Sequence, residues 1–333
     1  MQAIIPVAGA GTRLRPLTYT QPKVLICVAG KPILSFIIEH LIENGVTDFV
    51  FVIGYLGDKI KDFVDKNYPN LKAQYVVQES REGMGHAIYS AKDAIDLDQP
   101  LVIQLGDTIT DAQISQLYNS KSSVLCIKKV EDPRSFGVAE LNEDGTIKKV
   151  VEKPSIPKSN MALVGLYFIN ETRSLFEALE YNIHHNVRTN NEFHLTDAIA
   201  RMIENGIIFR SYKVEQWFDL GKKEILLETN ATLLKKTEGL NHHKGVVENS
   251  IIIQPVSIGE GAKIVHSIIG PNVTISDHST ITCSIIENSI IGSYTRLENI
   301  SLSKSLIGSD ANIKGFRQSL NIGDNTEIDL TDR

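Results

Sequence analysis

The chain has 333 residues, 42% hydrophobic and 22% charged, with 34 Lys and Arg against 40 Asp and Glu for a formal net charge of −6. That length exceeds a usual single core and predicts two domains, while the acidic balance argues against broad nucleic-acid or membrane-surface binding and leaves room for a local basic pocket. Cys27, Cys126 and Cys283 are far apart and match no metal spacing, no apolar run approaches transmembrane length, and the N-terminus opens on a strand instead of a signal sequence, so a cytoplasmic protein with free thiols is expected.

Residues 2–7 form a near-continuous apolar run, the pattern of a strand covered on both faces, with Pro6 suited to its end. The run enters Ala8-Gly9-Ala10-Gly11-Thr12-Arg13-Leu14-Arg15-Pro16, and Pro22-Lys23 follows. Glycines permit positive φ and close ligand approach, and clustered N–H groups form an anion nest. Arg13, Arg15 and Lys23 add full charges, which points to a nucleotide-phosphate site. No Gly-Lys-Ser or Gly-Lys-Thr follows, which excludes a Walker loop, and the dinucleotide fingerprint fails at Leu14. The glycines alone fit a plain strand-to-helix turn equally well.

From Pro32, the residues Ile33, Leu34, Ile37, Ile38, Leu41 and Ile42 repeat at helical spacing until Gly45. Residues 49–53 read as a buried strand, 58–66 as a helix, 73–78 as a strand, 85–95 as a helix, and 101–105 as a strand entering Gly106-Asp107. This alternation predicts a parallel, doubly wound sheet with ligands at the carboxyl ends of its strands. Gly9, Gly11, Gln78 and Asp107 all fall at such ends, although Asp107 also suits a helix N-cap. Beyond Asp111 the spacing predicts a strand at 124–130, a hairpin of 137–141 with 147–151, a strand at 162–169 and a helix at 172–180. An amphipathic helix over 192–204, a strand at 207–214 leading into Trp217-Phe218-Asp219-Leu220-Gly221, and a helix over 222–236 complete this part. The stretch 238–245 is polar and reads as a linker. Its His242 and His243, like His184 and His185, read as solvated loop.

From Val246 the pattern changes. Ile-Gly recurs at Ile258-Gly259, Ile269-Gly270, Ile291-Gly292, Ile307-Gly308 and Ile322-Gly323, and aliphatic residues return every five or six positions from Ile252 to Ile313. Neither a helix nor a flat strand uses that period. Short strands joined by tight corners do, as in the hexapeptide β-helix, with a cap near Phe316.

With these motifs in hand, the chain resembles the sugar-phosphate nucleotidyltransferases, closest to the glucose-1-phosphate thymidylyltransferase and uridylyltransferase branches, over about residues 2–236. The β-helix tail matches the longer members. The resemblance implies a doubly wound, mostly parallel catalytic domain over 1–237, a linker at 238–245 and a left-handed β-helix over 246–333. It implies that Ala8, Gly9, Ala10, Gly11 and Thr12 hold the nucleotide, that Arg13 meets the leaving pyrophosphate, and that Lys23 meets the nucleotide phosphates. Gln78 and Gly83 would pair with the edge of a pyrimidine. Gly137, Glu152, Val164 and Gly165 would line the sugar pocket, Lys153 would hold the sugar phosphate, and Glu192-Phe193-His194-Leu195-Thr196-Asp197 would start a helix near the sugar, although Thr196 and Asp197 also suit the helix surface. Asp107 and Asp219 would hold Mg²⁺.

The reaction so implied joins a hexose 1-phosphate, with glucose 1-phosphate foremost, to dTTP or UTP and releases pyrophosphate. Cys27 stands where many relatives carry proline, and Thr108 where many thymidylyltransferases carry asparagine. Gly83-Met84-Gly85-His86-Ala87 looks more like the uridylyltransferase form. Two alternatives stay open. One is a catalytically silent, nucleotide-sugar-binding regulatory subunit, whose signature would be loss of the aspartates, Arg13 or Lys23. The other is an added acyltransferase activity in the β-helix, for which His266 and His278 are the histidines after the linker. The tail reads as an oligomerisation or regulatory domain, and a homo-oligomer is expected.

Overall fold

Every residue of the first strand, β1 (Gln2–Pro6), is buried, as an apolar run covered on both faces requires. The computed structural model describes residues 1–118, 120–236 and 244–316. The chain divides into two units, Met1–Thr232 and Leu233–Arg333.

In the first unit β1 pairs in parallel with β2 (Asp48–Ile53), and β2 with β3 (Lys72–Val77); on its other edge β1 takes β4 (Leu101–Gln104), again in parallel. The links are α1 (Ile33–Glu43), α2 (Gly57–Asn67) and α3 (Met84–Ser90). The chain moves outward from β1 to β3 and then returns to the far side of β1. The loops after β1 and β4 therefore part, and a crevice opens at their carboxyl ends.

Beyond β4 the sheet turns antiparallel. β5 (Thr108–Thr110) lies outside it, while β6 (Ser123–Lys129), β7 (Gly137–Leu141), β8 (Ile147–Glu152) and β9 (Met161–Ile169) extend it. β9 runs antiparallel to β4 and β7 along one edge and to β6 along the other, and β7 and β8 form the expected hairpin. The register of β9 against β6 shifts between Leu163 and Tyr167, where Gly165 takes φ +86°. Helices α4 (Thr172–His184) and α5 (Leu195–Glu204) follow, then β10 (Phe209–Lys213), which lies parallel to β6. β11 (Trp217–Asp219) pairs antiparallel with β5 in a separate ribbon, and α6 spans Lys223–Lys236. Ile4, Ile103, Leu125, Phe176, Ile199 and Phe209, each at most 1% exposed, belong to one core.

The helix expected over 85–95 ends at Ser90, where Ala91 N turns back to the Ile88 carbonyl at 3.1 Å and a separate 3-10 turn, Lys92–Ala94, follows. Two further boundaries differ for physical reasons. α4 continues through His184, and His185 caps it, because no breaker intervenes before Asn186 at φ +51°. These histidines end a helix and do not sit in a loop. α5 starts at Leu195 and not at Glu192, because Thr189 and Glu192 exchange backbone hydrogen bonds of 3.1 and 3.0 Å around Asn190 and Asn191. Both asparagines have positive φ, 51° and 64°, as a two-residue hairpin turn of this hand requires.

The second unit stacks short parallel strands into three sheets, the architecture of a left-handed β-helix. One sheet runs from Val246–Glu248 through Lys263–Val265, Thr280–Thr282 and Arg296–Glu298 to Asn312–Lys314. Every aliphatic position of the predicted register, from Ile252 to Ile313, lies in the core of this unit or, as at Ile252, Leu302, Ile307 and Ile313, packs half-buried against it. Asn249, His266, Cys283 and Asn299 occupy equivalent corners at φ between 46° and 54°. Beside them, Ser250 Oγ accepts from Ser267 N at 3.0 Å, Ser267 Oγ from Ser284 N at 3.1 Å, and Ser284 Oγ from Ile300 N at 3.2 Å. His266 and Cys283 thus have a place in the corner geometry. Phe316, near which a cap was expected, is exposed. The linker falls largely outside the described residues, and His242, His243 and Ile322-Gly323 wholly so.

Candidate active site

The loop after β1 turns at Gly11, where φ is +62° and a Cβ would stand 3.0 Å from Thr18 Cγ2 and 3.1 Å from Lys23 Cβ. A side chain there would be strained. The Gly11 carbonyl accepts from Thr18 Oγ1 at 2.8 Å and from Leu14 N at 2.9 Å, which curls Thr12–Leu14 into a single 3-10 turn. Gly9, by contrast, has open space around it. The result is a cavity of about 220 Å³ walled by Gly9, Gly11, Thr12, Arg13, Lys23 and Asp107 among others. Ala8 and Ala10 belong to the loop without lining this cavity, and Arg15 instead stacks over Tyr19 at 4.9 Å.

The β5–β11 ribbon brings the two aspartates together. Asp219 stands opposite Thr108, the residue after Asp107, and Leu220 N donates to the Asp107 carbonyl at 3.0 Å. Asp107 is followed by a strand and not a helix, so it caps nothing. Lys23 Nζ donates to Asp107 Oδ2 at 2.6 Å. Burial pushes the Asp219 carboxyl above its ordinary range, the Asp107 charge adds to the shift, and Lys23 and Arg13 oppose it. The Arg13 guanidinium lies against Gly221, where a Cβ would come within 2.9 Å of Nη2.

A larger cavity of about 610 Å³ shares Arg13, Met84 and Asp107 with the first. Gly137, Glu152, Lys153, Val164 and Gly165, the whole predicted sugar side, line it together with Asp219. A Cβ on Gly137 would stand 3.0 Å from Leu163 Cδ1 and 3.2 Å from Glu152 Oε2, and one on Gly165 2.8 Å from Leu105 Cδ1, so both positions depend on a missing side chain. Lys153 holds a left-handed backbone, φ +40°, which is costly for a residue with a Cβ and concentrates at functional sites. Phe136 and Trp217 meet edge to face at 4.8 Å on the wall of this cavity.

Gln78 and Gly83 line neither cavity. Gln78 is buried, with Nε2 donating to the Gly83 carbonyl at 3.2 Å. Gly83, at φ +108°, leaves only 2.5 Å between a Cβ and the Phe193 carbonyl oxygen. Next to it Phe193 N donates to the Glu82 carbonyl and Gly85 N to the Phe193 carbonyl, each at 2.7 Å. The segment before α3 is thus stitched to the segment before α5.

The family profile described as Nucleotidyl transferase matches residues 2–236. The chain belongs to the nucleotidyl transferase family. It is 32% identical to the low-salt glycan biosynthesis nucleotidyltransferase Agl11 of Haloferax volcanii, over 99% of this chain and 100% of that one. It is also 32% identical to a glucose-1-phosphate thymidylyltransferase of Streptomyces antibioticus, over 99% of this chain. Identity to the bifunctional protein GlmU of Methanocaldococcus jannaschii is 38%, over 79% of this chain and 61% of that protein. Among solved structures, a UDP-glucose pyrophosphorylase complexed with UDP-glucose superposes with a TM-score of 0.61 at 28% identity, covering 71% of this chain and 98% of that one.

Nucleotidyltransferases of this family generally use a divalent metal. Asp107 and Asp219 fit one: they are two hard carboxylate donors on one ribbon, Asp219 carries a charge that burial disfavours, and both line the cavity shared with Arg13. Among the described residues no group of three or more His, Cys, Asp or Glu could hold a metal by itself, so such a site relies on substrate oxygens and water. No helix among the described residues is long and apolar enough to cross a membrane. The resemblance places Glu192-Phe193-His194-Leu195-Thr196-Asp197 as a helix start near the sugar and leaves Thr196 and Asp197 equally suited to the helix surface. Thr196 Oγ1 donates to Glu152 Oε2 at 2.7 Å, and both residues line the larger cavity. The available signal was a polar residue on the buried face of α5, beside Leu195, Ala198 and Ile199.

Proposed function

We propose that this nucleotidyltransferase joins a hexose 1-phosphate, glucose 1-phosphate foremost, to dTTP or UTP, giving a nucleoside-diphosphate sugar and pyrophosphate. One observation carries the reading: two cavities, one walled by the glycine loop and Lys23 and the other by Glu152 and Lys153, meet at Arg13 and Asp107. A triphosphate in the smaller and a sugar phosphate in the larger would place the α-phosphorus at that junction.

A phosphate oxygen is already an anionic nucleophile near neutral pH, so no general base is needed. It attacks the α-phosphorus, a new P–O bond forms, and the bond to the β-phosphate bridging oxygen breaks with its electron pair leaving on pyrophosphate. The difficulty is bringing one anion to another, and the residues answer it by in-line positioning and charge neutralisation. Lys153 holds the attacking phosphate, Lys23 moves from Asp107 to the nucleotide phosphates, and Arg13 receives the leaving pyrophosphate. Asp107 and Asp219 hold Mg²⁺, which when bound neutralises charge on the phosphates. Glu152, with Gly137, Val164 and Gly165, holds the sugar hydroxyls. Gly83, next to Met84 on the wall of both cavities, and Gln78, bonded to it, are assigned to the pyrimidine. The catalytic domain is assigned to 1–237, the linker to 238–245, and the β-helix over 246–333 to homo-oligomerisation.

Purified protein with Mg²⁺ should release pyrophosphate from dTTP or UTP with one of glucose, galactose or N-acetylglucosamine 1-phosphate. No release in any combination overturns the reading, and binding of a nucleotide sugar without turnover would favour a regulatory subunit. The likeness to a protein named bifunctional favours testing a second activity. Acetyl-CoA consumption with an amino-sugar phosphate would reveal one in the β-helix.

A further inference from the structure

Among the described residues β11 pairs with β5 and with no other strand, so the chain leaves the main sheet just before it. Val214 N, one residue past β10, still bonds to that sheet through the Ile127 carbonyl at 3.0 Å. The next two N–H groups both go to a single carboxylate. Glu215 N donates to Asp111 Oδ1 at 3.2 Å, and Gln216 N donates to Asp111 Oδ2 at 3.0 Å. In return, Asp111 N donates to the Gln216 carbonyl at 3.3 Å. One side chain therefore catches the strand as it passes from the sheet to the ribbon.

The ribbon needs such a hold. It has three residue pairs, Trp217 with Thr110, Phe218 with Ile109 and Asp219 with Thr108, and a two-stranded ribbon of that length is marginal by itself. β5 is anchored from the sheet: Gln104 Nε2 donates to the Thr108 carbonyl at 2.9 Å and Thr108 N to the Leu105 carbonyl at 3.2 Å. β11 is tied to this fixed strand at both ends, by Leu220 N on the Asp107 carbonyl and by Asp111 on Glu215 and Gln216. A slip of one residue would turn Asp219 to the other face of the ribbon. Bonds from backbone N–H to a carboxylate are stronger than neutral ones, which suits Asp111 to fixing the register.

We infer that Asp111 is a positioning residue for the metal pair: it fixes where β11 begins, and thereby where the Asp219 carboxylate stands beside Asp107. This rests on the reading of those two aspartates as the holders of a divalent metal. Asp111 lines neither cavity, and its action runs through the backbone of β11. It is exposed, so water can reach the two N–H groups when the carboxylate is removed, and the fold outlasts the loss.

The test uses the full-length protein with Asp111→Ala and Asp111→Asn, and reads Mn²⁺ binding by water-proton relaxation with UTP and with dTTP. Trp217, the only tryptophan in the sequence, follows Gln216 directly, so its emission reports how β11 is seated. Ala should raise the Kd for Mn²⁺ about tenfold, the usual cost of removing a group that orients a metal ligand. It should also shift the Trp217 emission to the red and lower the melting temperature by no more than about 4 °C. Asn keeps one acceptor oxygen and should fall between Ala and the wild type. In an Asp219→Asn background, Asp111→Ala should remove no further turnover, because the ligand it places is already gone. Wild-type Mn²⁺ affinity in the Ala variant, or further loss of turnover in that background, overturns the inference. If Ala does not fold, Asn decides alone, and wild-type affinity there overturns it. Failure of the wild type to bind Mn²⁺ with either nucleotide overturns the metal reading of Asp107 and Asp219 itself, and the inference falls with it.

Discussion

Lys23 and Asp107, 84 positions apart in the chain, form an ion pair of 2.6 Å in the wall of the smaller cavity. The lysine is nearly enclosed, at 10% exposure, while the aspartate keeps 35%. On the proposed reading, each is the other's placeholder until phosphates and metal arrive. Lys23→Ala should lower turnover by about 10²–10³-fold, the cost of losing one preorganised charge at a reacting centre. Its melting temperature should stay within about 2 °C, because a half-exposed Asp107 can hydrate. Unchanged turnover would remove the lysine from the reaction.

Asp219 gives a prediction with opposite signs for stability and activity. Its raised carboxyl takes up a proton more readily in the folded than in the unfolded chain, so its charge costs stability at any pH above the raised value. That cost is relieved as pH falls through the folded value, the same range in which the proposed metal affinity would be lost. Asp219→Asn should raise the melting temperature at neutral pH by about 1–3 °C and abolish nucleotide-dependent Mn²⁺ binding, read by water-proton relaxation. A lower melting temperature would contradict the electrostatic reading.

Two glycines should separate activity from stability. At Gly221 a Cβ would meet the mobile end of Arg13, so Gly221→Ala should displace the guanidinium and leave the backbone alone. Turnover should fall at least about tenfold, with the KM for pyrophosphate in the reverse reaction rising and thermal stability preserved. A drop in melting temperature without a kinetic effect would refute it.

Gly83 is the opposite case. Its φ of +108° and the 2.5 Å approach to a backbone carbonyl leave nothing flexible to yield. Gly83→Ala should destabilise the protein by about 2–4 kcal/mol, seen in urea melts as a lower midpoint at unchanged slope.

Long-period patterns were legible in the sequence, and short-range pairings across long separations were not. The run from Ile252 to Ile313 declared a β-helix because each coil repeats the same demand on one inward side chain. The strand-to-loop motif around Gly9 and Gly11 was equally readable, since positive φ and clustered charge are local properties. Trp217–Asp219 and Thr108–Thr110 are too short to carry a hydrophobic period, so the ribbon that joins Asp107 to Asp219 could not be seen in advance from periodicity. The antiparallel seating of β9 against β4 was hidden for a related reason: buried strands of either sense read as the same apolar run. Thr196 could not be told from helix surface because its partner, Glu152, lies on a strand that only the fold brings into reach.

The stitching of Phe193 to Glu82 and Gly85 carries a consequence for how such an enzyme can change. The proposed pyrimidine segment and the approach to the hexose pocket share backbone hydrogen bonds, so neither is a cassette that can be exchanged alone. A chimera given residues 78–87 of a relative should lose its grip on the sugar as well, unless 188–194 are transplanted with them. Preferences for nucleotide and for sugar would then be inherited jointly, and lineages would diverge in matched pairs of substrates.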